Sequence, residues 1–241
     1  MSKIEWTEKT WNPITGCTKI SAGCKNCYAE TIAKRFWGNR KFTDIQLHED
    51  RLMQPIKWRK PQMIFVNSMS DLFHEDVPFY FIDDILSITQ RCKQHTFQIL
   101  TKRPERMLAY IKANWGGEIK LNNVWFGISA ENQKMFDTRL PYLLQCNSYN
   151  NWISFEPLLE EISLDTAQVF IDIVRGRNTI EWVVVGGESG RKKRPFNPDW
   201  ARKLRDQCKE LKIPFFMKQI DKVQEIPKDL MIREYPLPNS L

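Results

Sequence analysis

The chain has 241 residues, a hydrophobic content of 42% and a formal charge of +7. Nine tryptophans and fourteen phenylalanines supply a sizeable core and exclude intrinsic disorder, and no apolar run is long enough to span a bilayer. The basic excess favours a polyanionic partner, a nucleic acid or nucleotide, over a membrane.

The opening residues carry a charge at Glu5 and no apolar stretch, so they do not read as a secretory signal. A reducing, cytoplasmic setting is expected, and there six cysteines point to metal or redox chemistry more than to disulfides.

Residues 10–14 read as the end of a first short strand, followed by a loop that carries Cys17, Cys24 and Cys27. Residues 28–37 read as a helix. Residues 38–60 have mixed charge and no period, which marks an insertion. A regular beat then begins. Apolar, strand-like runs rich in Ile, Val, Phe and Trp fall at 63–67, 96–100, 124–128, 152–155, 182–186 and 214–217. Helical patterns lie between them at 79–95, 104–114, 134–146, 166–177 and 198–211. Pro104 opens its helix at a first-turn position, where the missing N–H costs nothing. Alternation of this kind gives parallel βαβ units. Six to seven parallel strands predict a full or partial (β/α) barrel in an α/β fold, with an open doubly wound sheet as the alternative. The barrel is expected to span residues 1–221. Residues 222–241, with Pro227, Pro236 and Pro238, read as a tail packed over it.

In a (β/α) barrel the site is built from the loops that follow the strands. The first strand is followed by the cysteine loop. The second is followed by Asn67, Ser68, Ser70 and Asp71, the third by Lys102 and Arg103, and the fourth by Ser129 and Glu131. Glu156 follows the fifth, Gly186, Gly187 and Glu188 close the sixth, and Lys218 closes the seventh. Ser68, Asp71 and Ser129 can equally be helix N-caps. Glu156 and Lys218 each follow an apolar strand end, where a charge sits at the barrel mouth. The Gly-Gly pair lets backbone approach a ligand closely, or simply makes a tight turn. The basic run 191–194 is either a solvated loop or a grip on phosphate.

Three thiolates in one loop are too few for a closed zinc site or a fully protein-ligated iron–sulfur cluster, which take four ligands. One metal position would stay open. A histidine can complete a zinc site instead, with His48, His74 and His95 as the candidates. Cys92, Cys146 and Cys208 fall on or near helices and read as small buried residues.

Three cysteines after the first strand of such a barrel resemble the radical S-adenosylmethionine (SAM) superfamily. The whole chain resembles a narrower group, phage-associated proteins of unknown function with a three-cysteine motif. The matching runs are 11–17, 23–29, 100–106, 155–159, 186–190 and 215–219. The first cysteine gap holds six residues where the superfamily has three, and Gly-Gly-Glu follows the sixth strand where the superfamily has it after the second. The resemblance implies a 4Fe-4S cluster on Cys17, Cys24 and Cys27. It implies SAM held among Ser68, Asp71, Ser129, Glu131, Gly186, Gly187 and Glu188. Lys102, Arg103, Glu156 and Lys218 would face the substrate, and an electron donor is required. With the basic charge, the expected reaction is modification or repair of a nucleic acid base or nucleotide. The alternatives are a zinc-binding protein that interacts with nucleic acid, and a non-catalytic phage protein on a barrel scaffold.

Overall fold

The computed structural model describes residues 4–165, 180–190 and 192–236. The helix expected at 166–177, Arg191 of the basic run and the end of the tail lie outside these residues.

Seven strands form one parallel sheet. They are β1 (Lys9–Trp11), β4 (Met63–Val66), β5 (Thr96–Thr101), β6 (Val124–Ser129), β7 (Asn151–Phe155), β8 (Ile180–Gly186) and β9 (Phe215–Gln219), side by side in that order. The order never reverses along the chain. A doubly wound sheet must reverse at a switch point, so the doubly wound alternative is excluded. Right-handed crossovers between successive neighbours all fall on one face, and the sheet curls into a half-barrel. No pairing joins β1 to β9 among the described residues, so the barrel stays open there. Backbone from the tail covers the free edge of β9: the Met217 N–H donates to the Ile232 carbonyl at 2.8 Å and the Glu234 N–H to the Phe215 carbonyl at 3.0 Å. Covering an edge in this way removes a template for pairing with other chains.

The elements follow local signals with small shifts. The first strand ends at Trp11; Ile14–Thr15 (β2) instead pairs antiparallel with Gln46–Leu47 (β3), inside the insertion. Pro13, which has no N–H for a ladder, sits at the break. The insertion also holds α2 (Glu49–Leu52) and a 3-10 turn at Pro55–Lys57. The helices α1 (Tyr28–Phe36), α4 (Pro104–Trp115), α5 (Gln133–Gln145) and α6 (Pro198–Leu211) lie where the pattern places them. α3 (Phe79–Arg91) stops short of residue 95, because Cys92 leaves helical space at φ −108, ψ 53. Among the described residues no helix is long and apolar enough to cross a membrane.

Strand alternation divides the core in two. Ile64, Val66, Ile99, Phe126, Ile153, Val183 and Met217 face outward against α3, α4, α5 and α6. On the concave side Trp6, Phe65, Trp152, Trp182, Val184 and Phe216 form a second, aromatic cluster. Trp6 packs edge-on against Phe65, Trp152 and Trp182, with ring centroids 4.7, 5.2 and 6.2 Å away. The cluster depends on Gly127 in β6. A Cβ there would stand 2.4 Å from Trp152 Nε1, the atom that donates to the Ile99 and Trp125 carbonyls at 3.2 and 3.3 Å. Gly127→Ala is therefore expected to lower stability by about 2 kcal/mol through overpacking, measured as a fall in the denaturation midpoint at constant m-value.

Candidate functional site

The aromatic cluster plugs the concave face from below, and polar groups take over above it. Ser129 and Ser154 are register partners on β6 and β7. Two residues beyond Ser154 and Phe216, alternation brings Glu156 and Lys218 to the same face. These groups line a cavity at the C-terminal strand ends, with about 1040 Å³ of empty space counted out to its open mouth. Cys17, Cys24 and Cys27 line it from one side. Ser68, Asp71, Lys102, Arg103, Ser129, Glu156, Gly187, Glu188 and Lys218 line the rest. The C-terminal ends of all seven sheet strands, or the loops after them, thus meet at one mouth.

Much of this polar layer holds the cysteine loop. Arg103 is nearly buried and donates in several directions. Nη1 reaches Asp71 Oδ2 at 3.3 Å and Cys17 Sγ at 3.6 Å; Nη2 reaches the Thr18 hydroxyl at 2.8 Å and its carbonyl at 3.2 Å; Nε reaches Glu75 at 2.9 Å. Asp71 is consumed in turn, accepting from the Thr101 hydroxyl at 2.7 Å and from the N–H groups of Phe73 and Lys102, each at 3.0 Å. Glu131 accepts from the Gly23 N–H at 3.0 Å and from Arg139 at 2.9 Å. It points at the loop, outside the lining of the cavity, and Gly186 does not line it either. Glu188 accepts from Asn26 at 2.9 Å, from the Arg194 N–H at 2.7 Å and from the Arg194 guanidinium. Of the carboxylates expected on a ligand, Glu131 and Glu188 bond directly to the cysteine loop, through Gly23 and Asn26, and Asp71 bonds to it through Arg103.

Two cations of the basic run are likewise engaged. Lys193 pairs with Asp221 at 2.7 Å, and Arg194 pairs with Glu188. Gly187 has a packing reason: a Cβ would stand 2.1 Å from the Ile220 carbonyl oxygen. Ser68, Asp71 and Ser129 cap no described helix; α3 begins after Pro78, and α5 is capped by Asn132, which accepts from the Met135 N–H at 2.9 Å.

Three charged lining groups remain, Glu156, Lys218 and Lys102. Lys218 Nζ donates to Glu156 Oε1 at 2.5 Å and lies 6.0 Å from the Trp6 ring centroid. Lys102 makes no ion pair among the described residues, and its charge acts on Cys24. Burial pushes the Cys24 thiol up, but the Lys102 ammonium and hydrogen bonds from Ile20 and Ser21 outweigh it and hold it below the ordinary thiol value. Burial, reinforced by the Asp71 carboxylate, pushes the Cys17 thiol up to about 12 in spite of Arg103.

Two cavity-lining groups, Trp6 and Ser154, were not among the sequence candidates, and Asn67 was named there only as a polar strand-end residue. Trp6 Nε1, Asn67 Nδ2 and Ser154 Oγ are buried and have no hydrogen-bond partner among the described residues. Buried polar atoms are normally paired, so three orphans around one cavity are places for a ligand's polar groups. Asn67 stands out by its left-handed backbone, φ 60, and Ser154 is a lone hydroxyl in a wholly buried strand.

The donor set fits an iron–sulfur cluster in kind: three thiols on one loop, open toward a cavity, with Lys102 and Arg103 beside them to offset thiolate charge. Among the described residues no three His, Cys, Asp or Glu groups are gathered around a point where one ion could sit. A cubane spreads its thiolates over separate irons and needs no such point. None of the three histidines lines the cavity. His74 comes nearest the loop, yet Nε2 is bonded to the Thr18 hydroxyl at 2.8 Å and Nδ1 accepts from the Asp76 N–H at 3.2 Å. His48 Nε2 is bonded to the Thr15 hydroxyl at 2.7 Å, and His95, just before β5, lies at the far end of the barrel against the Pro55 carbonyl at 3.2 Å. Cys92, Cys146 and Cys208 are buried, as expected of small core residues.

The fold and site define a singly wound α/β half-barrel with a cysteine loop over its mouth. Residues 1–233 match the model of a family described as a protein of unknown function (DUF5131), and the chain belongs to that family. No curated protein and no solved structure matches it.

Proposed function

We propose that the protein is a radical SAM enzyme that modifies or repairs a nucleic acid base or nucleotide. The observation that carries this reading is the convergence of three cysteines from one loop with three orphaned buried polar groups on a single cavity. Bound to Cys17, Cys24 and Cys27, a 4Fe-4S cluster would supply the electron that cleaves SAM into methionine and a 5′-deoxyadenosyl radical. That electron comes from an external donor.

The chain's own residues bind, orient and shield. Lys102 favours the Cys24 thiolate and so eases proton loss on metal binding. Arg103, Glu131 and Glu188 hold the loop at the mouth through Thr18, Gly23 and Asn26. Ser154, Asn67 and Trp6 offer hydrogen bonds to a ligand that enters. The aromatic cluster beneath closes the floor to water. The hydrogen bond to Glu156 orients Lys218 Nζ toward the space a substrate would occupy above it. Positioning and exclusion of water are the protein's share of cofactor chemistry.

The test is anaerobic reconstitution with iron and sulfide, then incubation with SAM and dithionite. A brown protein that releases 5′-deoxyadenosine is the expected result. No release from a fully loaded cluster, or a colourless protein with one stoichiometric zinc, overturns the reading.

A further inference from the structure

α1 begins at the cavity and runs away from it. Tyr28 lines the cavity, and Tyr28, Ile32 and Phe36 lie four residues apart on one helix face. All three are exposed, at 38, 40 and 68%, while Ala29 and Ala33, on the neighbouring side of the helix, are buried. The stripe is about 12 Å long at about 1.5 Å per residue, the length of a few stacked bases at about 3.4 Å.

The segment that ends the stripe, residues 34–42, contains Lys34, Arg35, Phe36, Trp37, Arg40, Lys41 and Phe42, and no acidic residue. Lys34 pairs back to Glu30 at 2.8 Å, but the Arg35 and Lys41 side chains have no carboxylate partner among the described residues. Cations and rings alternate in contact: the Arg35 guanidinium lies 5.1 Å from the Phe36 centroid and that of Arg40 lies 4.2 Å from Trp37. The segment is fastened to the cysteine loop. Arg40 donates to the Thr15 carbonyl at 2.9 Å, and the Cys17 N–H donates to the Phe42 carbonyl at 2.9 Å.

We infer that this face is a track for single-stranded nucleic acid that leads to the cavity. It deepens the substrate half of the reading above and rests on that reading for what the cavity does. Exposed rings flanked by free cations match an unpaired strand, whose bases offer faces for stacking and whose phosphates offer charge. A duplex hides its base faces. An acidic protein partner would satisfy the cations and leave the rings idle.

The test needs neither metal nor SAM. Labelled 20-mers of single-stranded DNA, single-stranded RNA and duplex DNA are titrated with the full chain, and anisotropy is followed over a range of salt. One or both single strands are expected to bind more tightly than duplex. Phe36→Ala is expected to weaken that binding about tenfold. The Arg35→Ala, Lys41→Ala double variant is expected to reduce the slope of log K against log salt by about 1.4. Lys112→Ala with Lys209→Ala, exposed cations on α4 and α6, is expected to change neither quantity. Absence of binding, equal binding of duplex, or equal losses in the control overturns the track. So does a concentration-dependent dimer abolished by Phe36→Ala, since a second copy would then cover the face. Release of 5′-deoxyadenosine is read separately: losing it leaves the track standing, and losing the track leaves the radical chemistry standing.

Discussion

Replacing Cys17, Cys24 or Cys27 with alanine, one at a time, is expected to abolish 5′-deoxyadenosine release while changing folding stability by only about 1 kcal/mol. The three thiols are half-buried and free, and they contribute little to packing. Cys17 donates to the Thr18 carbonyl at 3.5 Å and Cys24 is 3.8 Å from the Ser21 hydroxyl, both weak sulfur contacts. On the proposed reading each loss removes one of the three cluster ligands, so iron loading is expected to fall with activity. The other three cysteines should behave in the opposite way. Cys92, Cys146 and Cys208 are buried in the main core. Alanine there costs about 1 kcal/mol of stability through the lost sulfur and leaves iron content and SAM cleavage as in the parent. Iron per chain, product by chromatography and a urea melt separate the two groups. Retention of cleavage in a Cys24→Ala protein would remove these cysteines from the chemistry.

The repeat after residue 60 was legible because each strand is a short apolar run and several helices open at a proline. Those signals are local. The start of the sheet was less so. Residues 10–14 look continuous, yet the chain breaks at Pro13 so that Ile14–Thr15 can pair with Gln46–Leu47, inside an insertion with no period of its own. Nothing near residue 14 names that distant partner. The site divides in the same way. A charge directly after an apolar strand end marks Glu156 and Lys218 from sequence alone, Lys102 follows its strand end one residue later, and all three line the cavity. What such a residue then does depends on its partner. Asp71, Glu131 and Glu188 sit at strand ends like ligand-binding carboxylates, but Arg103, Arg139 and Arg194 absorb them. Trp6 was missed because it precedes the first strand and enters the barrel from below, where the rule about strand ends does not look.

Arg103→Ala is expected to be the most destabilising of the single changes considered, at about 3–5 kcal/mol. The guanidinium is nearly buried, and so is the Asp71 carboxylate beside it. Removing the cation leaves that carboxylate uncompensated in a low-dielectric interior, where an unpaired charge costs more than the pair contributed. The same truncation takes both donors from Thr18 and the N–H from Cys17 Sγ, so the front of the cysteine loop loses its hold on the loop after β5. Arg103→Lys keeps one positive charge but cannot reach Asp71, Glu75, Thr18 and Cys17 at once, because the planar fork is gone. It should recover part of the stability and little of the iron loading. The Arg103→Ala, Asp71→Asn double variant removes the stranded charge and should regain stability without regaining iron. A plain packing role would predict that stability and iron content recover together in both variants. Their separation, read from urea midpoints and iron per chain, identifies Arg103 as the residue that holds the loop in its metal-ready position.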